Sequence, residues 1–100
     1  MRRILLSPRA KLDLSEIWDY TLWQWGGEQA EKYVRELWSA MENSATDPAR
    51  CPDIGDVRSG YRKTRAGSHV IFFKVTDDAI EVVRILHQKM DFDRHILRHE

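Results

Sequence analysis

The chain has little cysteine, no net charge and no long apolar run. Its single cysteine, Cys51, cannot close an internal disulfide or build a cysteine-rich metal cage. Apolar residues never continue for the roughly twenty positions that a bilayer requires. Near the start, Ile4-Leu5-Leu6 gives way at once to Ser7-Pro8-Arg9. A secretory leader needs an apolar core of about seven residues, so none is expected here. Neither a phosphate-binding P-loop nor a G-x-G-x-x-G motif is present. A hydrophobic fraction of 42% across 100 residues is nonetheless ample for one real core. These features predict a single cytoplasmic domain with no membrane association.

The zero net charge hides a division. Between positions 10 and 47 eight acids face three bases, whereas positions 58 to 74 hold five bases and no acid. A cationic block of this kind attracts phosphate or an acidic protein surface. Its bland counterpart is a solvated sheet edge, where Lys and Arg discourage edge pairing.

Local patterns divide the chain into elements. Ile4-Leu5-Leu6 reads as a short strand, and Ser7-Pro8 as the cap and first residue of a helix. Ala10, Leu14, Ile17, Thr21 and Trp25 form one helical stripe, widened by Trp18 and Leu22, and Gly26-Gly27 ends it. Glu28 and Glu31 favour the start of a second helix, whose apolar face is Ala30, Tyr33, Val34, Leu37, Met41 and Ala45. So short a link predicts an antiparallel helical hairpin. Residues 48–60 read as a loop. Three β-rich runs follow, at 61–65, 69–75 and 79–86, joined by short polar turns, and predict an antiparallel meander. Residues 91–99 are charged and read as a final short helix or a tail. The expected class is α+β, in the order β-α-α-β-β-β, with an antiparallel sheet packed against the hairpin.

Several constellations invite chemistry. Arg62, Lys63 and Arg65, with His69 across a turn and Arg84 on the last strand, are expected to gather on one part of the sheet. His87, beside Arg84 and Lys89, has the residue type for general acid–base work. His95 and His99 share a helical spacing but lack a third ligand, so no metal and no cofactor is expected. Cys51 has no histidine near it in sequence to make it a nucleophile. Trp18, Trp23, Trp25 and Trp38 point around much of the helix circumference, so some should be exposed as binding anchors.

The ordered set of motifs resembles the ParE branch of the RelE/ParE toxin superfamily, the toxic halves of bacterial type II toxin–antitoxin pairs. The resemblance covers nearly the whole length. It rests on Leu6-Ser7-Pro8-Arg9-Ala10, Asp13-Leu14 and Ile17-Trp18-Asp19-Tyr20, then on Gly60-Tyr61-Arg62-Lys63 and Gly67-Ser68-His69-Val70-Ile71-Phe72-Phe73. Its most specific part is Val83-Arg84-Ile85-Leu86-His87-Gln88-Lys89-Met90-Asp91. The resemblance implies the same β-α-α-β-β-β fold and offers two activities. RelE-type members cleave mRNA on the ribosome; the corresponding residues here would be Arg65, Arg84 and His87. His69 stands where an arginine is expected, and no tyrosine follows His87. ParE-type members inhibit DNA gyrase by binding, without catalysis, and this chain is more similar to them.

That implies a ParD-like antitoxin as partner, gyrase as target and operator DNA reached through the antitoxin. Target contacts are expected from Arg62, Lys63, Arg65, Arg84, His87, Lys89 and Arg94. Antitoxin contacts are expected from the tryptophans, and from Arg58, Arg62, Lys63 and Arg65 against an acidic tail. A third reading, from a different class, is a detoxified copy that only co-represses transcription with its antitoxin.

Overall fold

The computed structural model describes residues 1–56 and 58–90. A strand, β1 (Arg3–Leu6), leads into two helices, α1 (Pro8–Trp25) and α2 (Gly27–Thr46). After a 3-10 turn at Pro48–Arg50 come three strands, β2 (Tyr61–Ala66), β3 (His69–Val75) and β4 (Ala79–His87).

Ser7 organises the first junction. Its Oγ accepts from the Ala10 N–H at 3.0 Å, capping α1, and donates to the Val83 carbonyl at 2.9 Å. Gly26, at φ +91°, closes α1 through its N–H to the Leu22 carbonyl and opens α2 by accepting from the Ala30 N–H. A side chain is disfavoured at that φ, which is why glycine makes the reversal.

The sheet order is β1-β4-β3-β2. Strands β2, β3 and β4 form the expected antiparallel meander, but β1 lies parallel to β4, pairing Arg3 with Ala79 and Leu6 with Val82. The sheet is therefore mixed, correcting the wholly antiparallel expectation. Parallel neighbours need a long crossover, and the helical hairpin is that crossover. β4 is buried at every position from Ala79 to Leu86 except Glu81, as a central strand covered on both faces should be.

Between Phe72 and Phe73 the β3–β4 register slips, so that Phe72 faces Arg84 and Phe73 faces Val82. Val83 is the extra residue of this bulge. The helix-facing core joins Ala10, Ile17, Leu37, Met41 and Ala45 to Ile71, Phe73, Ile80, Val82 and Ile85. The opposite face carries a smaller cluster of Ile54, Tyr61, Phe72, Val83 and Leu86. The expected loop at 48–60 supplies Ile54 and is partly paired: its Ile54 N–H donates to the Tyr61 carbonyl at 2.9 Å, and the Lys63 N–H donates to the Pro52 carbonyl at 3.1 Å. Among the described residues no helix is long and apolar enough to cross a membrane.

Candidate functional site

Two grooves flank the end of β4. The first, of about 460 Å³, lies between α1 and β4 and is bordered by Arg9, Glu16, Tyr20, His69, His87 and Met90. Its inner wall is an ion pair. β1 ends beside Val82, so the edge of β4 beyond that point is covered by α1 instead. There Asp13 accepts from Arg84 Nε at 2.8 Å, from Arg84 Nη2 at 3.0 Å and from the Ile85 N–H at 3.0 Å. Both partners are buried. Asp13 was missed by the sequence reading, which placed Leu14 on the stripe. The signal lay in its spacing from Ala10 and Ile17, which puts a carboxylate on an apolar face and calls for a buried cation. The bulge at Val83 sits immediately before Arg84, a place where bulges commonly re-aim a side chain.

Behind the pair, His69 on β3 and His87 on β4 are cross-strand neighbours, their rings edge to face with centroids 5.5 Å apart. Tyr33 of α2 lies 2.6 Å from His69 Nδ1 through its Oη, which also accepts from the Ser68 N–H at 3.0 Å. The Tyr33 hydroxyl also reaches the Ala66 carbonyl, at 3.5 Å. Burial pushes the His69 pKa below 6.5, the neighbouring His87 pushes it the same way, and Asp13 opposes both. Burial raises the Tyr33 pKa above 10, against the hydrogen bond from Ser68. His87 Nδ1 accepts from the Lys89 N–H at 3.2 Å.

The second groove is lined, among the described residues, by Pro52, Lys63, Thr64, Arg65, Val70, Gln88 and Lys89, three cations and no acid. Arg65 is held there by Gln88 Oε1. Of the residues expected on the basic surface, Lys63, Arg65 and Lys89 meet in this groove, whereas His87 borders the other. Arg84 departs from expectation: it is only 4% exposed and paired with Asp13, because the edge of β4 is completed by α1 rather than by solvent. Arg62 donates to the Cys51 carbonyl at 2.7 Å and lies 3.7 Å from Asp53, which ties it to the preceding loop. Arg58 stacks on the Tyr61 ring at 5.9 Å. Arg94, His95 and His99 lie outside the described residues.

The tryptophans divide. Trp23 and Trp25 are 80% and 70% exposed at the free end of α1, beside exposed Tyr20. Trp18 is exposed over about a third of its surface and borders an apolar depression with Leu6, Leu14 and Val34. Trp38 is half-buried against the helix-facing core. Among the described residues no three His, Cys, Asp or Glu side chains group to hold a metal.

A helical hairpin on one face of a four-stranded mixed sheet is a fold that other solved structures share. A chain of the chromosomal ParDE TA system from P. aeruginosa superposes with a TM-score of 0.73 at 20% identity, over 87% of this chain and 96% of that one. The YoeB dimer from Staphylococcus aureus gives 0.61 at 17% identity, over 86% and 95%. The family model for the ParE toxin of type II toxin–antitoxin systems, parDE, matches residues 4–92, and the chain belongs to that family. Toxin ParE1 of Mycobacterium tuberculosis H37Rv is 50% identical over 94% of this chain and 97% of its own length. Toxin ParE1 of Caulobacter vibrioides is 42% identical, over 96% and 99%.

Proposed function

We propose that this ParE-family toxin arrests growth by binding DNA gyrase in the cytoplasm, without chemistry of its own, until a ParD-like antitoxin neutralises it. The observation that carries the reading is the family match across residues 4–92, with relatives at 50% and 42% identity along almost their whole length. The groove of Lys63, Arg65 and Lys89 supports it as the target-facing surface, since three cations with no acid among the described residues beside them attract an anionic surface at long range. Exposed Trp23 and Trp25, and the apolar depression beside Trp18, support a separate surface on the hairpin for the antitoxin. The antitoxin in turn would bring the complex to operator DNA.

The geometry gives less support to mRNA cleavage. That reaction needs a base for the 2′-hydroxyl, an acid for the leaving oxygen and cations at the phosphorane, all at one bond. Here Arg65 and His87 border different grooves, and Arg84 is neutralised by Asp13.

The test pairs a supercoiling assay on purified gyrase with mapping of mRNA cleavage during translation. Loss of supercoiling at stoichiometric toxin, with intact message, is the expected result. Cleavage that disappears in Arg65→Ala and His87→Ala, with gyrase unaffected, overturns the reading. Failure to arrest growth without the antitoxin would indicate a detoxified copy instead.

A further inference from the structure

Two lines of large side chains on α1 are left uncovered, and they point different ways. Leu12, Glu16, Asp19, Tyr20 and Trp23 follow at helical spacings of four, three, one and three, which aligns them along one side of the helix. All five are exposed. Trp18, Leu22 and Trp25, at spacings of four and three, form a second line on the side where Trp18 and Val34 of α2 border an apolar depression. At about 100° per residue, Trp23 and Trp25 stand on nearly opposite sides of α1. The first line is charged as well as apolar. From Leu12 to Trp25 the helix holds three acids and no base. Asp13 is neutralised by Arg84, but neither Glu16 nor Asp19 has an ion-pair partner among the described residues. Exposed rings set beside unpaired acids make a docking face for an apolar surface rimmed by cations.

We infer that this face docks head to tail into the Lys63, Arg65 and Lys89 groove of a second copy of the chain. The groove is its complement. Lys63, Arg65 and Lys89 are exposed around the apolar surface of Pro52 and Val70, in a space of about 620 Å³ that has room for an indole with a cation at its face. Charge selects the occupant. Positions 10 to 47 carry eight acids against three bases, positions 58 to 74 carry five bases and no acid, and the whole chain sums to zero. No net repulsion therefore keeps two copies apart, while their unlike surfaces attract. Two α1 faces brought together would oppose their own acids, and two grooves their own cations, so the contact joins one surface of each kind. Such a contact leaves an unused surface on each copy and can repeat. It also covers the cationic groove, so a copy held in this way cannot present that groove to another partner. The inference rests on charge and exposed rings, not on the identity of the target.

The test is sedimentation of the full chain from about 10 to about 500 µM, in about 50 mM and about 500 mM salt. A contact at the small end of protein interfaces gives an expected Kd of about 10–100 µM at the lower salt. The mass should rise past the dimer with concentration at low salt and return to the monomer at high salt. Trp23→Ala should weaken association about tenfold, whereas Trp25→Ala, on the other side of the helix, should leave it unchanged. Two double variants separate the surfaces. Asp19→Asn with Trp23→Ala disables the α1 face, and Lys63→Gln with Lys89→Gln disables the groove. Each should sediment alone as a monomer with the parent's circular dichroism, since all four side chains are exposed. An equal mixture should form a one-to-one complex and nothing larger, because one intact surface of each kind remains. A parent that stays monomeric throughout, or associates equally at both salts, overturns the inference. Equal loss in Trp25→Ala overturns it by placing the contact on the other side of α1. Self-association of the groove variant alone overturns it in favour of a contact between like faces. Failure of the mixture to form the complex overturns it as well.

Discussion

The carboxylate of Asp13 grips Arg84 side-on, at 2.8 and 3.0 Å, and takes the next backbone N–H of β4 with the same group. One α1 side chain thereby does two jobs. It neutralises a buried cation, and it caps the edge of a central strand where its parallel neighbour has already ended. Removing one partner of a buried pair leaves the other charge stranded, at a cost of about 3–5 kcal/mol, which is a large share of a small domain's stability. Asp13→Asn should therefore lower the urea midpoint severely. Asp13→Leu combined with Arg84→Met should recover much of the loss, because an apolar pair of similar bulk removes both desolvation penalties. If Asp13→Asn denatures like the parent, the pair does not hold α1 to β4.

The turn between β2 and β3 is constrained by Tyr33. Gly67 has φ +57°, and a Cβ there would come within 2.5 Å of the Tyr33 ring and 2.7 Å of its hydroxyl. Gly67→Ala should destabilise the domain by about 1–3 kcal/mol, from strained backbone and displacement of a packed ring. It should also move the His69 ring nitrogen resonances, because the Tyr33 hydroxyl lies 2.6 Å from His69 Nδ1. A stable variant with unchanged His69 signals would show that the contact is slack.

His69 makes stability depend on pH with a definite sign. Its folded pKa lies below the usual 6.5, through burial first and the neighbouring His87 second. On acidification the unfolded chain takes up this proton before the folded one, so stability is complete above 6.5 and declines as the pH falls towards the lowered value. Urea titrations between pH 7 and about 5 should show that decline, with a shallower slope in His69→Gln. Equal slopes in the two proteins would mean that the folded environment does not disfavour the charged ring.

The cationic groove predicts a charge-reversal phenotype. Lys63 and Lys89 are exposed, so Lys63→Glu with Lys89→Glu should leave stability within about 0.5 kcal/mol of the parent. Gyrase inhibition should weaken at least about tenfold, and the parent's inhibition should fall with added salt as the field is screened. Unchanged inhibition in the double variant would place the target elsewhere on the molecule.

The tryptophans should separate by phenotype. Trp23→Ala and Trp25→Ala remove exposed rings and should cost little stability, while weakening antitoxin binding by about 2 kcal/mol if either is an anchor. Trp38→Ala should destabilise the fold instead, since that ring packs on the core. Calorimetry of antitoxin binding alongside thermal melts distinguishes the two. Full affinity in Trp18→Ala, Trp23→Ala and Trp25→Ala would exclude this end of the hairpin as the anchor.

What the sequence determined by itself was local. Ser7-Pro8 and Gly26-Gly27 bound the first helix because caps and reversals depend on a few adjacent residues, and the alternating runs from 61 to 86 produce the meander for the same reason. The segregation of acids onto the hairpin and bases onto β2 and β3 was legible too, as was the family. Only the tertiary structure decided which strand β1 joins, and it chose β4 in parallel, since sheet order depends on how a long crossover packs rather than on any local pattern. It also decided the fate of Arg84, a cation on paper and half of a buried pair in the fold. Its partner lies 71 residues away, and the bulge beside it is a mismatch between two strands that neither strand displays alone. Periodicity records which face a residue shares with its neighbours in the chain. Which distant charge waits on that face is settled when α1 closes over the open edge of β4.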